Sequence, residues 1–293
     1  MSGPNLEHEP DLVAAFDGTL VAGRRMGSPE GTPILIAPGV GSSLAIWRRA
    51  LAELVRKHSL VTWDLRGLHE SGRPRTDRLD SAAHAEDAMA IANFYEIERF
   101  SLAAWSSGAR IALEIAHSYP ERVAMIVLVC GAYGYPITRV LRNLEAVALL
   151  PSLAGVAKHF SSYVGGLFRT FAARPELPGL VRQSGLVGPT ADVSAMVDFI
   201  RDMASCDTEL LLQIFEAVAG DPVPELLDEI EGPTLIVAGA RDQFTPMAQV
   251  EDMTRLIPGS HLEIYDGATH YLPIEFPARL ADDIERWLDQ TLR

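Results

Sequence analysis

The chain has 293 residues, of which 48% are hydrophobic and 22% charged, a composition typical of a globular protein and not of a disordered chain. Its 39 acidic and 25 basic residues give a net charge of −14, which disfavours binding to nucleic acid and to anionic membrane surfaces. No apolar run reaches the ~18 residues of a membrane helix, and the first ten residues do not resemble a secretory signal. We therefore expect a cytoplasmic protein that makes no membrane contact.

Strand-like and helix-like segments alternate along the first half of the chain. Residues 12–16 and 19–24 predict two strands around Asp17-Gly18, a signal for a two-residue type I′ hairpin. Further strands are predicted at residues 33–37, 60–63, 101–105 and 123–130. The intervening helices are predicted to begin at Ser43 and to span residues 81–95 and 107–118. This alternation indicates a mostly parallel sheet with helices on both faces.

The alternation stops after Cys130. Residues 135–220 contain only helical patterns, at residues 140–150, 193–205 and 208–218. The pattern then resumes with strands at residues 233–239 and 261–265, a helix near residues 247–256, and a last helix that begins at Pro277. We therefore expect a core formed by residues 1–134 and 221–293, with residues 135–220 inserted as a helical cap or lid.

The strongest chemical signal is the segment AWSSG at residues 104–108, between a predicted strand and a predicted helix. A tight turn that exposes a nucleophilic serine at such a junction needs small residues two positions before and two after it. Ala104 and Gly108 meet this requirement for Ser106, whereas Trp105 would occupy one of these positions for Ser107. Ser106 is therefore the predicted nucleophile, and a serine that merely caps the helix is the alternative.

A nucleophilic serine needs a histidine to accept its proton and a carboxylate to orient the histidine. Asp242 and His270 each follow a predicted strand, and the carboxyl ends of parallel strands meet at one edge of a sheet. Two other aspartates compete with Asp242 for the role of the carboxylate. We interpret Asp64 as a residue that fixes its loop, and Asp266 as one that shapes the turn before His270. His261, at the start of its strand, is assigned to a sideways or packing position. Five further histidines are assigned to surface or helix positions: His8, His58, His84, His117 and His159.

Acyl transfer also requires donors for the oxyanion. We assign this role to the backbone N–H of Ser107, at a helix N-terminus, and to that of Val40, in the glycine-containing loop at residues 38–43. The Ser107 hydroxyl receives no role. A dinucleotide-binding interpretation of the glycines in this loop fails, because the third glycine of the motif would fall at Leu44.

These segments together resemble the α/β-hydrolase fold superfamily, and in particular its cap-bearing serine esterase and peptidase group. Residues 64–72 (DLRGLHESG) resemble the D-x-R-G-x-G-x-S loop of this family, with His69 at the second glycine. Residues 38–41 resemble its H-G-x-G segment, with Pro38 at the position of the histidine. Ala104 replaces the first glycine of the family's G-x-S-x-G motif, which forms the tight turn around the nucleophilic serine. The resemblance implies an α/β-hydrolase fold with a mostly parallel sheet, an N-terminal antiparallel hairpin, helices on both faces and a helical cap insertion.

The resemblance also implies a serine hydrolase that cleaves a carboxylic ester, or a related acyl bond, through an acyl-enzyme. Dehalogenases and epoxide hydrolases of this family use an aspartate nucleophile, so Ser106 argues against both. Carbon–carbon bond hydrolysis, perhydrolysis and non-catalytic ligand binding remain the alternatives, with no metal or cofactor expected. The apolar side chains of the insertion predict a small, largely apolar substrate, and the alternative is that they only pack the cap onto the core. These side chains are Leu149, Leu150, Leu153, Val156, Phe160, Val164, Leu167, Phe168, Phe171, Leu211, Leu212 and Phe215.

Overall fold

The computed structural model of the protein describes residues 9–134, 161–220 and 223–291. The strands of this part of the chain are β1 (Asp11–Ala14), β2 (Leu20–Gly27), β3 (Thr32–Ala37), β4 (His58–Trp63), β5 (Phe100–Trp105), β6 (Val123–Val129), β7 (Thr234–Gly239) and β8 (Ser260–Tyr265). The α-helices are α1 (Arg48–Leu54), α2 (Ser81–Phe94), α3 (Gly108–Ser118), α4 (Ser161–Ala172), α5 (Leu177–Gln183), α6 (Val193–Ser205), α7 (Thr208–Ala219), α8 (Met247–Leu256), α9 (Leu272–Glu275) and α10 (Pro277–Thr291).

The eight described strands form one sheet in the order β1-β2-β4-β3-β5-β6-β7-β8. β2 runs antiparallel to both β1 and β4, and the remaining neighbours are parallel. Every residue of β4, β5 and β7 is buried, as expected for strands that are covered on both faces. The predicted α/β-hydrolase fold, with its parallel sheet and N-terminal antiparallel hairpin, is confirmed.

Two apolar layers cover the sheet, one on each face. On one face, α2, α3 and α8 bury side chains such as Ala88, Ile111 and Met253. On the other face, α1 and α10 bury Leu51 and Ile284. Because β3 to β8 are parallel, the loops at their carboxyl ends lie along one edge of the sheet.

The described part of the insertion, residues 161–220, consists of α4 to α7 and contains no strand. The predicted helices at residues 193–205 and 208–218 correspond to α6 and α7, which begin with Asp192 and Asp207 as N-caps. The predicted helix at residues 140–150 lies outside the described residues. The division into core and cap stays a prediction.

The hairpin prediction was wrong in its turn type. Ala15 N–H donates to the Thr19 carbonyl at 2.8 Å and Gly18 N–H donates to the Ala15 carbonyl at 2.9 Å, so the loop has an extra residue. Within this loop, Gly18 is the one residue with a positive φ (+81°), whereas a type I′ turn needs two such residues. The Asp17 carboxylate accepts a hydrogen bond from Thr19 N–H inside the loop and one from Arg66, 49 positions away in the chain.

The start of α1 also differs from the prediction. The helix begins at Arg48 with Trp47 as its N-cap, and the residues between Ser43 and Trp47 form turns. The Ser43 hydroxyl accepts the Ala45 N–H at 3.1 Å and donates to the Asp202 carboxylate on α6. Ser43 thus joins the core loop to the insertion rather than beginning a helix. In the described ranges, no helix combines the length and apolar character needed to span a bilayer.

Candidate active site

The turn between β5 and α3 places Ser106 at the carboxyl edge of the sheet. Ser106 has a φ of +56°, a left-handed conformation that strains a residue with a side chain by about 1–3 kcal/mol. A Cβ atom on Gly108 would lie 2.5 Å from the Ala37 carbonyl oxygen, so only glycine allows α3 to begin this close to β3. This close approach accounts for the small residue predicted two positions after Ser106.

The loops after β7 and β8 bring Asp242 and His270 to Ser106. The distance from His270 Nε2 to Ser106 Oγ is 2.8 Å, and the distance from His270 Nδ1 to Asp242 Oδ2 is 2.9 Å. The side chains of His270 and Asp242 are 7% and 3% exposed. With Asp242 ionised, His270 Nδ1–H donates a hydrogen bond to the carboxylate, and His270 Nε2 accepts a hydrogen bond from the Ser106 hydroxyl. The structure therefore brings the three predicted catalytic residues into one hydrogen-bonded chain.

The surroundings of Asp242 favour its ionised form. Burial by itself raises the pKa of this carboxyl group, but the charge and hydrogen bond of His270 lower it, as do the backbone N–H groups of Thr245 and Phe244. Those N–H groups donate to Asp242 Oδ1 at 2.9 and 2.7 Å. The net pKa of Asp242 lies below its ordinary value, so a carboxylate faces His270.

Two further residues hold the His270 loop, and the sequence analysis missed both. The indole N–H of Trp105 donates to the His270 carbonyl at 2.8 Å. The buried Glu275 carboxylate accepts hydrogen bonds from Thr269 N–H at 2.7 Å, Thr269 Oγ1–H at 2.6 Å and Gly188 N–H at 2.6 Å. Trp105 immediately precedes Ser106, so its place in the sequence could have indicated a residue close to the site. No local pattern points to Glu275.

The competing carboxylates do not contact His270. Asp266 is exposed at the surface of the loop before His270. Asp64 accepts hydrogen bonds from Arg24 at 3.1 Å and from Glu70 N–H at 3.3 Å, and it lines a separate polar cavity of about 470 Å³. Asp64 thus fixes its loop, as the sequence analysis assigned.

The other histidines lie away from Ser106, and one assignment needs correction. His261 is exposed at the start of β8, and His117 lies in the last turn of α3. His84 lies in α2, a helix as assigned, and is buried, whereas the assignment of His58 was wrong, because this residue is buried in strand β4. Burial, together with the charge of Arg66, lowers the pKa of His84 to about 3, so this imidazole stays neutral. Two further histidines lie outside the described residues: His8 and His159.

Both predicted oxyanion donors lie beside Ser106. Val40 and Ser107 line the same cavity as Ser106, and no described residue accepts a hydrogen bond from the Ser107 backbone N–H. The Val40 N–H donates to Ser107 Oγ at 2.8 Å. The Val40 amide is therefore engaged by a side chain for which the sequence predicted no role.

The cavity at Ser106 is small and aromatic. Its volume is about 270 Å³, and its described walls contain no lysine, arginine or glutamate. Six large apolar or aromatic side chains line it: Trp105, Phe199, Met203, Phe215, Phe244 and Tyr271. Burial and the nearby Asp242 charge raise the pKa of Tyr271 to about 12, so its phenol is neutral. The cavity thus offers apolar surface around a polar hydrogen-bonded chain.

The insertion contributes to this cavity mainly through α6, which carries Phe199 and Met203. The helix is tied to the core by acidic residues, including Asp192, whose carboxylate lies 2.6 Å from Arg49 Nε. Of the apolar insertion residues named from the sequence, Phe215 lines the cavity, while Leu167 and Phe171 are exposed. Six others lie outside the described residues or have undescribed side chains: Leu149, Leu150, Leu153, Val156, Phe160 and Val164.

One departure from the family motifs, His69, lies where the backbone is left-handed. His69 has a φ of +49°, a conformation that favours the glycine of the family motif, and its Nδ1 lies 3.7 Å from Cys206 Sγ in the insertion.

Cys130 is buried, and burial together with the Asp242 charge raises the pKa of its thiol well above the usual value. Cys130 is therefore a protonated core residue and not a thiolate nucleophile.

The sheet order, the strand–turn–helix at Ser106 and the positions of Asp242 and His270 agree with a family of known proteins. The alpha/beta hydrolase fold family matches residues 32–277 of the chain, a span that contains all three side chains. The chain belongs to this family. The predicted superfamily is thus confirmed for this alpha/beta hydrolase.

Individual relatives of this alpha/beta hydrolase are distant. It is 27% identical over 272 residues to an uncharacterized protein of Mycobacterium tuberculosis, covering 89% of this chain and 76% of that protein. It is 25% identical over 265 residues to a 2-hydroxymuconate semialdehyde hydrolase of Pseudomonas sp., covering 87% of this chain and 86% of that enzyme. The esterase RhEst1 of Rhodococcus sp. superposes with a TM-score of 0.73 at 21% identity, covering 97% of this chain and 100% of the esterase.

Proposed function

We propose that this protein is a serine hydrolase that cleaves carboxylic esters of small, largely apolar acyl groups. The observation that carries the proposal is the hydrogen-bonded chain from Ser106 Oγ through His270 to Asp242, with distances of 2.8 and 2.9 Å. Ser106 and His270 of this hydrogen-bonded chain line an apolar cavity at the carboxyl edge of the sheet. A neutral histidine beside a serine hydroxyl can remove its proton as the serine attacks a carbonyl carbon.

The reaction proceeds in two halves on the same residues. In the first half, His270 Nε2 accepts the Ser106 proton while Oγ bonds to the ester carbonyl carbon, and the carbonyl oxygen becomes an oxyanion. The tetrahedral intermediate expels the alcohol, which takes the proton from His270, and leaves an acyl group on Ser106. In the second half, His270 removes a proton from water as the water oxygen bonds to the acyl carbon. The second tetrahedral intermediate then releases the carboxylic acid while His270 returns the proton to Ser106 Oγ. Asp242 stabilises the imidazolium in both halves.

The cavity walls support neutral acyl groups. Aromatic side chains such as Phe199 and Phe244 can bury an alkyl or aryl group, and the described walls offer no cation for a carboxylate. Carbon–carbon bond hydrolysis is the alternative with the same three residues, and one relative is named for acting on a muconate semialdehyde. A substrate that carries a carboxylate would need a basic partner, so we rank ester hydrolysis first.

The first test is turnover of 4-nitrophenyl butyrate by wild type and two serine variants. Ser106→Ala should lose several orders of magnitude in kcat, because no other described hydroxyl contacts His270. Ser118→Ala, at the exposed far end of α3, should match wild type. Mass mapping of a fluorophosphonate adduct should place the label on Ser106. Ligand binding without turnover, and without labelling, would instead identify a non-catalytic receptor.

The second test concerns acyl length. If the acyl chain enters the aromatic cavity, kcat/KM for 4-nitrophenyl esters should rise from acetyl to butyryl or hexanoyl. Burying each methylene contributes about 0.8 kcal/mol, or up to about fourfold in kcat/KM. A steady fall from acetyl onward, or a preference for succinyl over butyryl, would contradict the apolar acyl site without touching the assignment of Ser106. Neutral diketones assayed in parallel would detect carbon–carbon bond cleavage.

A further inference from the structure

The hydroxyl group of Ser107 makes an unusual hydrogen bond. Ser107 is the N-cap residue of α3, a position where a serine side chain commonly accepts a hydrogen bond from its own helix. The Ser107 side chain makes no such bond. It accepts the backbone N–H of Val40 at 2.8 Å, although the two residues are 67 positions apart in the chain. The side chain is therefore directed to the loop after β3.

This contact depends on a close approach between the loop and the turn at Ser106. A Cβ atom on Gly39 would lie 3.1 Å from the Trp105 carbonyl oxygen and 3.6 Å from Ser107 Oγ. The missing side chain at Gly39 thus lets the Val40 N–H reach the Ser107 hydroxyl. While this bond is made, the single proton of the Val40 amide is not free to bind an oxyanion directly.

The Ser107 hydroxyl retains a proton of its own. A hydroxyl group donates one hydrogen bond in addition to those it accepts, and no described residue accepts this one from Ser107. Ser107 is only 7% exposed and lines the cavity of Ser106. An unpaired buried donor is unfavourable, and a hydroxyl that accepts an N–H becomes a stronger donor through polarisation. An anionic oxygen in the cavity would satisfy this proton.

We propose that the Ser107 hydroxyl is itself a donor of the oxyanion hole. The backbone N–H and the hydroxyl of Ser107 both donate to the oxyanion, and Val40 acts through the hydroxyl by donating to its oxygen. No proton is transferred along this chain, since each group keeps its own. The proposal rests on the proposed function, because it needs the oxyanion that forms when Ser106 attacks an acyl carbon.

The test compares Ser107→Ala with wild type on 4-nitrophenyl butyrate and on its thionoester, in which sulfur replaces the carbonyl oxygen. Enzyme concentrations are taken from fluorophosphonate titration of Ser106, so unfolded protein does not enter the rates. Loss of one oxyanion donor should lower kcat for the ester by about 10²–10³-fold with little change in KM. Because sulfur is the weaker hydrogen-bond acceptor, the thionoester should lose less, and the ratio of ester to thionoester rates should fall. Ser118→Ala is the matched control on the same helix.

Three results would overturn the proposal. Wild-type rates in Ser107→Ala would mean that the hydroxyl only fills the site and that the freed Val40 N–H replaces it. Equal losses on ester and thionoester would mean that Ser107 merely positions the loop. Absence of wild-type turnover and of labelling at Ser106 would remove the proposed function together with this proposal, whereas the first two results leave ester hydrolysis standing.

Discussion

The carboxylate of Glu275 offers a stringent test of how the His270 loop is held. The side chain is 4% exposed and accepts three hydrogen bonds, two from Thr269 and one from Gly188 of the insertion, at 2.6 to 2.7 Å. Glu275→Gln has nearly the same shape but replaces one acceptor oxygen with an NH₂ group. At least one of the three donors must then face another donor.

The magnitude follows from the hydrogen bond that is lost. A hydrogen bond to a charged group contributes about 1.5–3 kcal/mol, so Glu275→Gln should lower the free energy of unfolding by about 2–3 kcal/mol. Glu275→Ala leaves the N–H groups of Thr269 and Gly188 unpaired, while the Thr269 hydroxyl keeps the Leu186 carbonyl, at 3.2 Å, as an acceptor. This variant should lower the free energy of unfolding by about 4 kcal/mol, a large part of the roughly 5–15 kcal/mol of a typical domain. Since Thr269 precedes His270, kcat should fall in both variants under conditions where each remains folded.

Urea unfolding gives the free energies, and turnover of 4-nitrophenyl butyrate gives kcat. Asp266→Asn is the matched control, because it neutralises an exposed carboxylate in the same loop and should change neither quantity appreciably. If Glu275→Gln unfolded at the same urea concentration as wild type and as Asp266→Asn, the three hydrogen bonds would not hold the loop, and our account of His270 positioning would be wrong.

Three other predictions concern the catalytic chain. Asp242→Asn should remain folded but lose about 10⁴-fold in kcat, because an amide NH₂ facing His270 favours the wrong tautomer; a loss of less than tenfold would refute this assignment. The lowered pKa of Asp242 means that its contribution to stability is complete above the ordinary carboxyl pKa and is lost only as the pH falls through the folded-state value. Urea unfolding between pH 3 and 7 checks this sign. Trp105→Phe removes the 2.8 Å hydrogen bond to the His270 carbonyl and should lower kcat by up to about tenfold, with no loss indicating that Trp105 serves only to line the cavity.

Much of the fold was predictable from local patterns. A buried strand in a parallel sheet is apolar on both faces, so β4, β5 and β7 stand out as short hydrophobic runs. Helices α6 and α8 were predicted close to their observed bounds, because their apolar residues recur at helical spacing. The hairpin turn and the start of α1 were mispredicted. Asp17 and Ser43 form hydrogen bonds with Arg66 and Asp202, which lie far away in the chain, and a local sequence pattern contains no information about such partners.

The sequence by itself indicated which residues could perform the chemistry. Ser106 lies in a tight turn with small neighbours, and Asp242 and His270 follow strands, so the parallel topology was enough to bring them to one edge. The structure places the three side chains within hydrogen-bonding distance of one another, because their positions depend on short-range geometry and on the direction of strands.

Only the tertiary structure determined how these residues are held and what surrounds them. The hydrogen bonds from Trp105 to His270, from Gly188 to Glu275 and from Val40 to Ser107 join residues 165, 87 and 67 positions apart. No periodicity in the chain encodes such a pair, because each partner is selected by the packing of whole helices and strands. The same packing brings Phe199 to the cavity that Ser106 lines, and under the proposed function this side chain limits which acyl groups can reach the serine.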